Sequence, residues 1–396
     1  RSGSDMLPSD RFAYLAYYGG DNGYHFGPNL NSWIDGNGEA RLASTALTWE
    51  KAKKVNLGID MTLFRQRLSI SCDVFTEKRF DILTNLNTSA GADIQRMNFP
   101  GVVGASAPWI NSSKIKNYGI DFEVTWQDKI GRDFRYFIKP NFTFARNKIE
   151  YTNEIDWGKN TWRQATGKPM NSNFTYVFDH FVANQAEADA LNTSGIQGSF
   201  GKLIPGDVVY KDMNDDKVID DKDRAAQGYP RCPEIMFGIP MGFSYKGFDF
   251  SILFQGATNS SILLNGAAVY DFPNFHNDKM GKVKPMHLKR WTPETAENAK
   301  YPALHLGTHN NNKNAHSSLF LYDASYVRLK NIEIGYSLPY QLIKIANLQQ
   351  VRFYIQGQNL LTWDKLGDVD VDPETNSNGT WYPIQKVFNF GVNITF

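Results

Sequence analysis

Apolar residues at every second position restrict the fold of this chain more than any other feature. In Val55-Asn56-Leu57-Gly58-Ile59-Asp60-Met61-Thr62-Leu63 one side is apolar and the other polar or small. After Arg65-Gln66-Arg67 the pattern resumes at Leu68, Ile70, Cys72 and Val74. A period of two belongs to a strand with unlike faces, and two such runs about a short polar turn read as a β-hairpin. The design returns over Tyr118–Trp126, Phe134–Phe144, Ile235–Tyr245, Phe248–Phe254, Ile332–Tyr336, Val351–Ile355 and Phe388–Phe396. About ten to twelve strands are predicted, many near the roughly 9–11 residues that carry a tilted strand across a bilayer.

Alternation alone fits a soluble sandwich, with one face in the core and the other in water, as well as a membrane barrel. Two further features favour the barrel. Trp126, Phe134, Tyr245 and Phe396 stand at the ends of apolar faces, as aromatic girdles do. The connections also differ sharply in length. Arg65-Gln66-Arg67, Asp128–Asp133 and Lys246-Gly247 are short, whereas residues 80–112, 150–230 and 257–323 are long and polar, with one short helix expected at Gln185–Leu191 and a turn-rich end at Asn310–Asn314. Short turns alternating with long loops describe an outer-membrane barrel, and loops of that length are uncommon in compact soluble domains. No apolar run approaches the roughly 20 residues of a membrane helix.

The 42 Lys and Arg nearly balance 41 Asp and Glu, for a formal charge of +1. That balance argues against nucleic acid as a partner. Cys72 and Cys232 lie outside any CxxC or Cys/His spacing and read as two unrelated thiols. HExxH, Gly-x-Ser-x-Gly and phosphate-binding loop patterns are missing, and no pair of carboxylates is singled out for glycoside hydrolysis. The opening Arg1-Ser2-Gly3-Ser4-Asp5 carries no signal peptide and reads as an interior cut.

Three sets of residues are candidate sites. Asp212, Asn214, Asp216, Asp220 and Asp223, with the carbonyl of Val218, have the spacing of an EF-hand-type loop, so Ca²⁺ is the expected cofactor and Ile219 the anchor. Lys217 stands where such loops place Gly, and Asp223 is shorter than the usual closing Glu; a plain acidic turn is the competing reading. Trp109, Trp157, Trp162, Trp291 and Trp381 lie in or beside long loops and could stack on sugar rings, or could simply pack those loops. Phe388, Phe390, Val392, Ile394 and Phe396 form an alternating terminal strand ending in an aromatic residue, similar to the signal read by the barrel-assembly machinery.

Several segments in series resemble the SusC/RagA family of TonB-dependent outer-membrane transporters. These are Leu47-Thr48-Trp49-Glu50-Lys51 leading into Val55–Asp60, Lys114–Glu123, Pro205-Gly206-Asp207-Val208-Val209-Tyr210-Lys211-Asp212 through Asp223-Arg224, Ser325–Asn331, Gly357–Trp363, Asp372-Pro373-Glu374, Tyr382-Pro383 and Phe396. The resemblance runs over nearly the whole chain. It implies an all-β, transmembrane antiparallel barrel of about 22 strands, of which residues 1–396 would be the C-terminal half, with the plug and N-terminal half lying outside this chain. It further implies a place in the outer membrane of a Bacteroidetes-like cell, in contact with its lipid. Its partners would be a SusD-like lipoprotein and, through the plug, the TonB complex; its cargo, oligosaccharides or oligopeptides. A surface carbohydrate-binding or adhesive β-protein and a secreted β-rich hydrolase are the alternatives.

Overall fold

The computed structural model describes residues 12, 14–28, 30, 32–85, 94, 101–197, 201–270, 283–305, 311–380 and 382–396. The described residues divide between two compact units, one within Arg1–Asn56, Phe75–Tyr118 and Arg146–Ser172, the other within Leu57–Val74, Gly119–Ala145 and Asn173–Phe396. In the first unit, β1 (Tyr17–Phe26) and β2 (Ser32–Arg41) form a hairpin of their own. A ten-stranded sheet then begins with β3 (Lys51–Leu63), β4 (Leu68–Asn85), β5 (Trp109–Ile130), β6 (Phe134–Ile138) and β7 (Asn141–Tyr151). The long connection that follows carries β8 (Asn173–Tyr176), β9 (Phe178–Phe181), α1 (Gln185–Ser194), β10 (Val208–Tyr210) and β11 (Arg224–Gln227). The sheet resumes with β12 (Ile235–Tyr245) and β13 (Phe248–Thr258). Short β14 (Ser261–Leu263) and β15 (Leu321–Asp323) precede β16 (Tyr326–Ser337), α2 (Tyr340–Ile343), β17 (Gln350–Asp364) and β18 (Val387–Thr395).

Strand order in the large sheet is β18-β17-β16-β13-β12-β6-β5-β4-β3, with β7 beside β12 and β5. Neighbours in sequence are mostly neighbours in space, as in an up-and-down meander. The short turns at Arg65–Arg67 and Lys246-Gly247 stand where the sequence puts them. The one expected over Asp128–Asp133 tightens to Gly131–Asp133, because Asp128–Ile130 pair with Phe134–Tyr136. Lys246 and Gly247, at φ 44° and 89°, make the tight hairpin from β12 to β13, since a two-residue loop with both central residues left-handed matches the strand twist. The run expected as one strand over Phe134–Phe144 breaks at Lys139-Pro140, because Pro140 has no N–H to give to the ladder. Its carbonyl accepts from Val124 N at 2.9 Å, and Lys139 N donates to the Pro240 carbonyl at 2.9 Å, so the course stays paired through the break.

Register sorts the side chains by chemistry. Trp126, Ile138, Met241 and Ile252 line up on one face, followed by Phe243 with Phe250, Ile334 with Ile355, and Phe390. Gln127, Ser251, Glu333, Gln356 and Asn389 occupy the other face. Glycines set opposite rings fix this register: Phe237 lies over Gly256, Phe137 over Gly242 and Tyr354 over Gly391, each the cross-strand partner of the other. A side chain on those glycines would collide with the ring, so a slipped pairing is disfavoured.

The apolar face is uncovered. Leu57 is 69% exposed and Phe390 76%, and Val55, Ile59, Phe122, Phe243, Ile334, Phe353, Ile355 and Val392 are exposed with them. A sandwich would bury this face. In water each large apolar side chain forfeits about 1.5–3 kcal/mol relative to burial, and so extensive an apolar surface marks contact with something other than water. Aromatic rings gather at the short-turn end: Phe64 and Trp126 (6.4 Å between centroids), Phe134 and Phe243 (5.7 Å), Phe248 and Tyr336 (4.5 Å). Among the described residues no helix is long and apolar enough to cross a membrane.

Candidate functional site

Within the second unit the long connections fold into a body with its own cores. Ile262, Leu264, Val269, Met286, Tyr301, Phe320 and Leu366 form one cluster, Val182, Ala188, Leu203 and Val209 a second, and Val208, Tyr210 and Ile219 a third. The sequence predicts a short helix at Gln185–Leu191; α1 runs on to Ser194, capped by Asn184 Oδ1 on Glu187 N at 3.0 Å and ended by Gly195 at φ 72°. Small antiparallel strand pairs β8–β11, β9–β10 and β14–β15 join segments far apart in sequence.

The Pro205-Gly206-Asp207-Val208 run is the hub of this body. Asp207 is fully buried; its carboxylate accepts from His305 Nε2 (2.7 Å), Asn312 Nδ2 (2.9 Å) and Ile204 N (2.8 Å). A buried carboxylate is tolerated when donors surround it in this way. Asn312 Oδ1 takes Val208 N at 2.9 Å, Asn311 Nδ2 binds the Val208 carbonyl at 2.8 Å, and Tyr210 OH donates to the Asn311 carbonyl at 2.7 Å. Burial raises the Tyr210 and Tyr176 phenols, the latter to about 12, and Tyr210 donates to Asn311 as a neutral phenol. Gly206 sits at φ 87°, and a Cβ there would come within 2.5 Å of Trp291 Cε3 and 2.6 Å of Ala303 Cβ. Both the backbone and the space require glycine.

Trp291 takes the second of the two readings its sequence left open, loop packing. It is buried against Gly206 and packs the loop body, leaving no broad face for a sugar. Trp109 opens β5 instead of lying in a loop. In the first unit Trp157 covers the buried Arg163 guanidinium at 4.7 Å, with half-buried Trp162 beside it in sequence. Trp381 lies outside the described residues.

The acidic loop keeps its anchor, since Ile219 is fully buried beside Val208 and Tyr210. Several of its oxygens accept from N–H groups of the loop itself. Asp212 accepts from Asn214 N (3.2 Å) and Lys217 N (2.7 Å), Asn214 Oδ1 from Asp216 N (3.1 Å), and Asp216 Oδ1 from Val218 N (3.0 Å). Asp223 is buried and accepts from Met213 N and Asp220 N, each at 2.8 Å. Burial raises its carboxyl against the pull of those two N–H groups. The Lys222 ammonium reaches Asp220 Oδ2 (2.9 Å) and Asp216 Oδ2 (3.3 Å), and these carboxylates hold it above its usual range. Lys217 adopts φ 65°, the conformation a glycine would take freely. Among the described residues no three His, Cys, Asp or Glu side chains are grouped to hold a metal. Several of the oxygens expected to bind calcium accept from the loop's own N–H groups, and Asp216 and Asp220 also meet Lys222.

A clamp that sequence reasoning missed joins β16 to the β17–β18 connection. Arg328 is buried; its Nη2 meets Asp372 Oδ2 at 2.5 Å, Nη1 meets Glu374 Oε2 at 2.6 Å, and Nε donates to Thr362 Oγ1 at 3.0 Å. The Tyr326 ring lies 5.0 Å away. One fork on two carboxylates fastens Asp372-Pro373-Glu374 to the wall, and nothing near Arg328 in sequence announces those partners. On the same face, Arg352 pairs with Asp249 (Nε to Oδ1, 2.9 Å) and Glu333 (2.6 Å), tying three strands together.

Strands with an uncovered apolar face, a polar opposite face, and a folded body made from the long connections coincide with a known family. The family described as TonB dependent receptor-like, beta-barrel matches residues 9–360. The chain belongs to it. TonB-dependent receptor P3 of Formosa agariphila is 26% identical over 381 residues, covering 90% of this chain and 35% of that protein. TonB-dependent receptor SusC of Bacteroides thetaiotaomicron is 24% identical over 389 residues, covering 98% of this chain and 36% of that protein. A structure of the RagAB peptide importer in its open-open state superposes with a TM-score of 0.70 at 20% identity, over 100% of this chain and 39% of that one. The SusC/RagA assignment and the barrel fold stand. The chain spans about a third of the length of the curated relatives it matches.

In a TonB-dependent receptor barrel the uncovered face is the lipid face. Phe388, Phe390, Val392, Ile394 and Phe396, expected as the assembly signal, are all exposed on β18 or just past it, and β17 is the one described neighbour of β18.

Proposed function

We propose that this chain is part of the wall and extracellular surface of an outer-membrane importer that takes up oligosaccharides or oligopeptides. Support comes from one observation above the others: the same sheet carries an uncovered apolar face and continues into a buried, cross-linked loop body. A barrel held in lipid by its strands can present such a body as a rigid surface for cargo and for a lid. In this reading a SusD-like lipoprotein closes over the loops and TonB drives passage from the inner membrane. The chain itself contributes binding and gated passage, with no covalent chemistry. Candidate cargo contacts in the second unit are polar residues of the inner wall such as Gln356 and Asn389.

β18 and Phe396 would serve as the recognition strand for the barrel-assembly machinery. Calcium at Asp212–Asp223 is retained as a competitor of Lys222: the ion would have to displace the ammonium from Asp216 and Asp220. Replacing Lys222 with Gln should then increase any rise in melting temperature with calcium. Equal melting with and without calcium, in both forms, would remove the metal.

Fractionation of the native-length protein, with capture in mild detergent and mass spectrometry, tests the importer. Recovery in the outer membrane with a lipoprotein is expected; recovery as a detergent-free soluble species would refute it.

A further inference from the structure

The connection between β16 and β17 is unlike the other turns at its end of the sheet. Its neighbour is the two-residue turn Lys246-Gly247, to which it is bonded by Ser337 N on the Gly247 carbonyl at 2.8 Å. Where that turn is minimal, residues 338–349 form a compact projection: α2, a 3-10 turn at Lys344–Ala346, and a left-handed Asn347 at φ 56° that closes it. Leu338 N to Val351 O (2.9 Å) holds it to the strand end, and Leu348 N to Ile343 O (3.4 Å) closes it on itself.

The projection buries little besides Ile343 and leaves Tyr340, Leu342 and Ile345 exposed, Ile345 at 85%. Its sequence, Leu338-Pro339-Tyr340-Gln341-Leu342-Ile343-Lys344-Ile345-Ala346-Asn347-Leu348-Gln349, has no acidic residue and one lysine. A projection meant for water would not set out three large apolar side chains. One meant for the core would bury them.

We propose that residues 338–349 are an interfacial anchor, lying in the headgroup region of the periplasmic leaflet beside the barrel. The inference rests on the lipid-facing reading of the sheet. The occupant follows from continuity: β16 and β17 enter this segment with Ile334, Tyr336 and Phe353 on their uncovered face, and the aromatic pair Phe248–Tyr336 marks the same depth. Tyrosine and lysine among aliphatic residues suit that layer, where a ring sits at the headgroups and an ammonium reaches phosphate. The lack of carboxylates suits anionic phospholipid. The anchor would hold the barrel rim at a fixed depth where the neighbouring turn is too short to grip.

Spin labels at Ile345→Cys and Leu342→Cys, in native-length protein with Cys72 and Cys232 replaced by Ser, test this in phosphatidylethanolamine/phosphatidylglycerol vesicles. Labels at Ile355→Cys and Lys300→Cys give the lipid and water references. Collision with oxygen relative to a water-soluble nickel chelate should place positions 342 and 345 nearer to 355 than to 300. If position 355 reads lipid while 342 and 345 read water, the anchor is refuted and the barrel stands. Shielding of 342 and 345 from both reagents would mean a protein partner covers them, which also refutes it. If position 355 itself reads water, the lipid-facing sheet fails and the anchor with it.

Discussion

Replacing Arg328 with Met should loosen the β17–β18 connection while leaving the sheet intact. The methionine keeps much of the buried stem and removes the fork that holds Asp372 at 2.5 Å, Glu374 at 2.6 Å and Thr362 at 3.0 Å. Removing one partner of a buried ion pair costs about 3–5 kcal/mol, because the remaining charge is stranded. Here the stranded groups can turn toward solvent, Glu374 being already 43% exposed, so screening cuts the figure to about 2–3 kcal/mol. At 1.4 kcal/mol per decade this is roughly a 30–150-fold increase in local opening. Amide hydrogen exchange by mass spectrometry should show that acceleration in peptides from 365–380, with little change in peptides from β12 and β13. Arg328→Lys should fall between, since an ammonium keeps the charge but cannot fork between two carboxylates. Unchanged exchange over 365–380 in Arg328→Met would refute the clamp; equal acceleration throughout the sheet would show that Arg328 supports the wall itself.

Gly206→Ala should destabilise the loop body by about 2–5 kcal/mol, combining a left-handed backbone with a Cβ pressed on Trp291 and Ala303; a melting temperature within error of the parent would refute it. Burial alone would lower the His180 pKa, but its bonds to Glu187 and Asp179 raise it above 6.5. Its stabilising charge is therefore fully present below about pH 6.5 and lost as pH rises through the raised value. Exchange in α1, corrected for intrinsic rate, should grow with pH over that interval, and His180→Gln should flatten the trend; an unaltered trend would count against the pair. Phe390→Asp with Phe396→Asp should block barrel assembly, and normal outer-membrane levels would exclude β18 as the recognition strand.

What was legible in the sequence was local. Period-two alternation in Val55–Leu63 and Ile235–Tyr245, and the polar turns at Arg65–Arg67 and Lys246-Gly247, gave the strands and hairpins because each depends on neighbours in sequence. The loop body was illegible because its bonds are long-range. Asp207 meets His305 and Asn312 across roughly a hundred residues, and nothing near Asp207 announces them. Pro205-Gly206-Asp207 was readable as a motif but not as a hub. Whether Trp291 stacks on cargo or packs its loop was open in the sequence, since its burial depends on Gly206, far away in the chain. The acidic loop shows its oxygen spacing locally, but that spacing gives no sign that the Lys222 ammonium, ten residues on from Asp212, meets Asp216 and Asp220. β4 and β5 reach Asn85 and Trp109, beyond the alternating apolar runs, held by polar contacts such as Asn111 Nδ2 on the Asp81 carbonyl at 2.7 Å. Pairing outlasts the apolar signal there.

An uncovered apolar face of this extent should meet lipid. Photolabelling of the native-length protein in bilayers with a diazirine carried on the lipid acyl chain tests it most directly. Modification mapped by mass spectrometry should fall on Leu57, Ile59, Phe353, Ile355, Phe390 and Val392 and skip Tyr354, Gln356 and Asn389 between them. Labelling without that alternation, or none on these strands, would contradict the account.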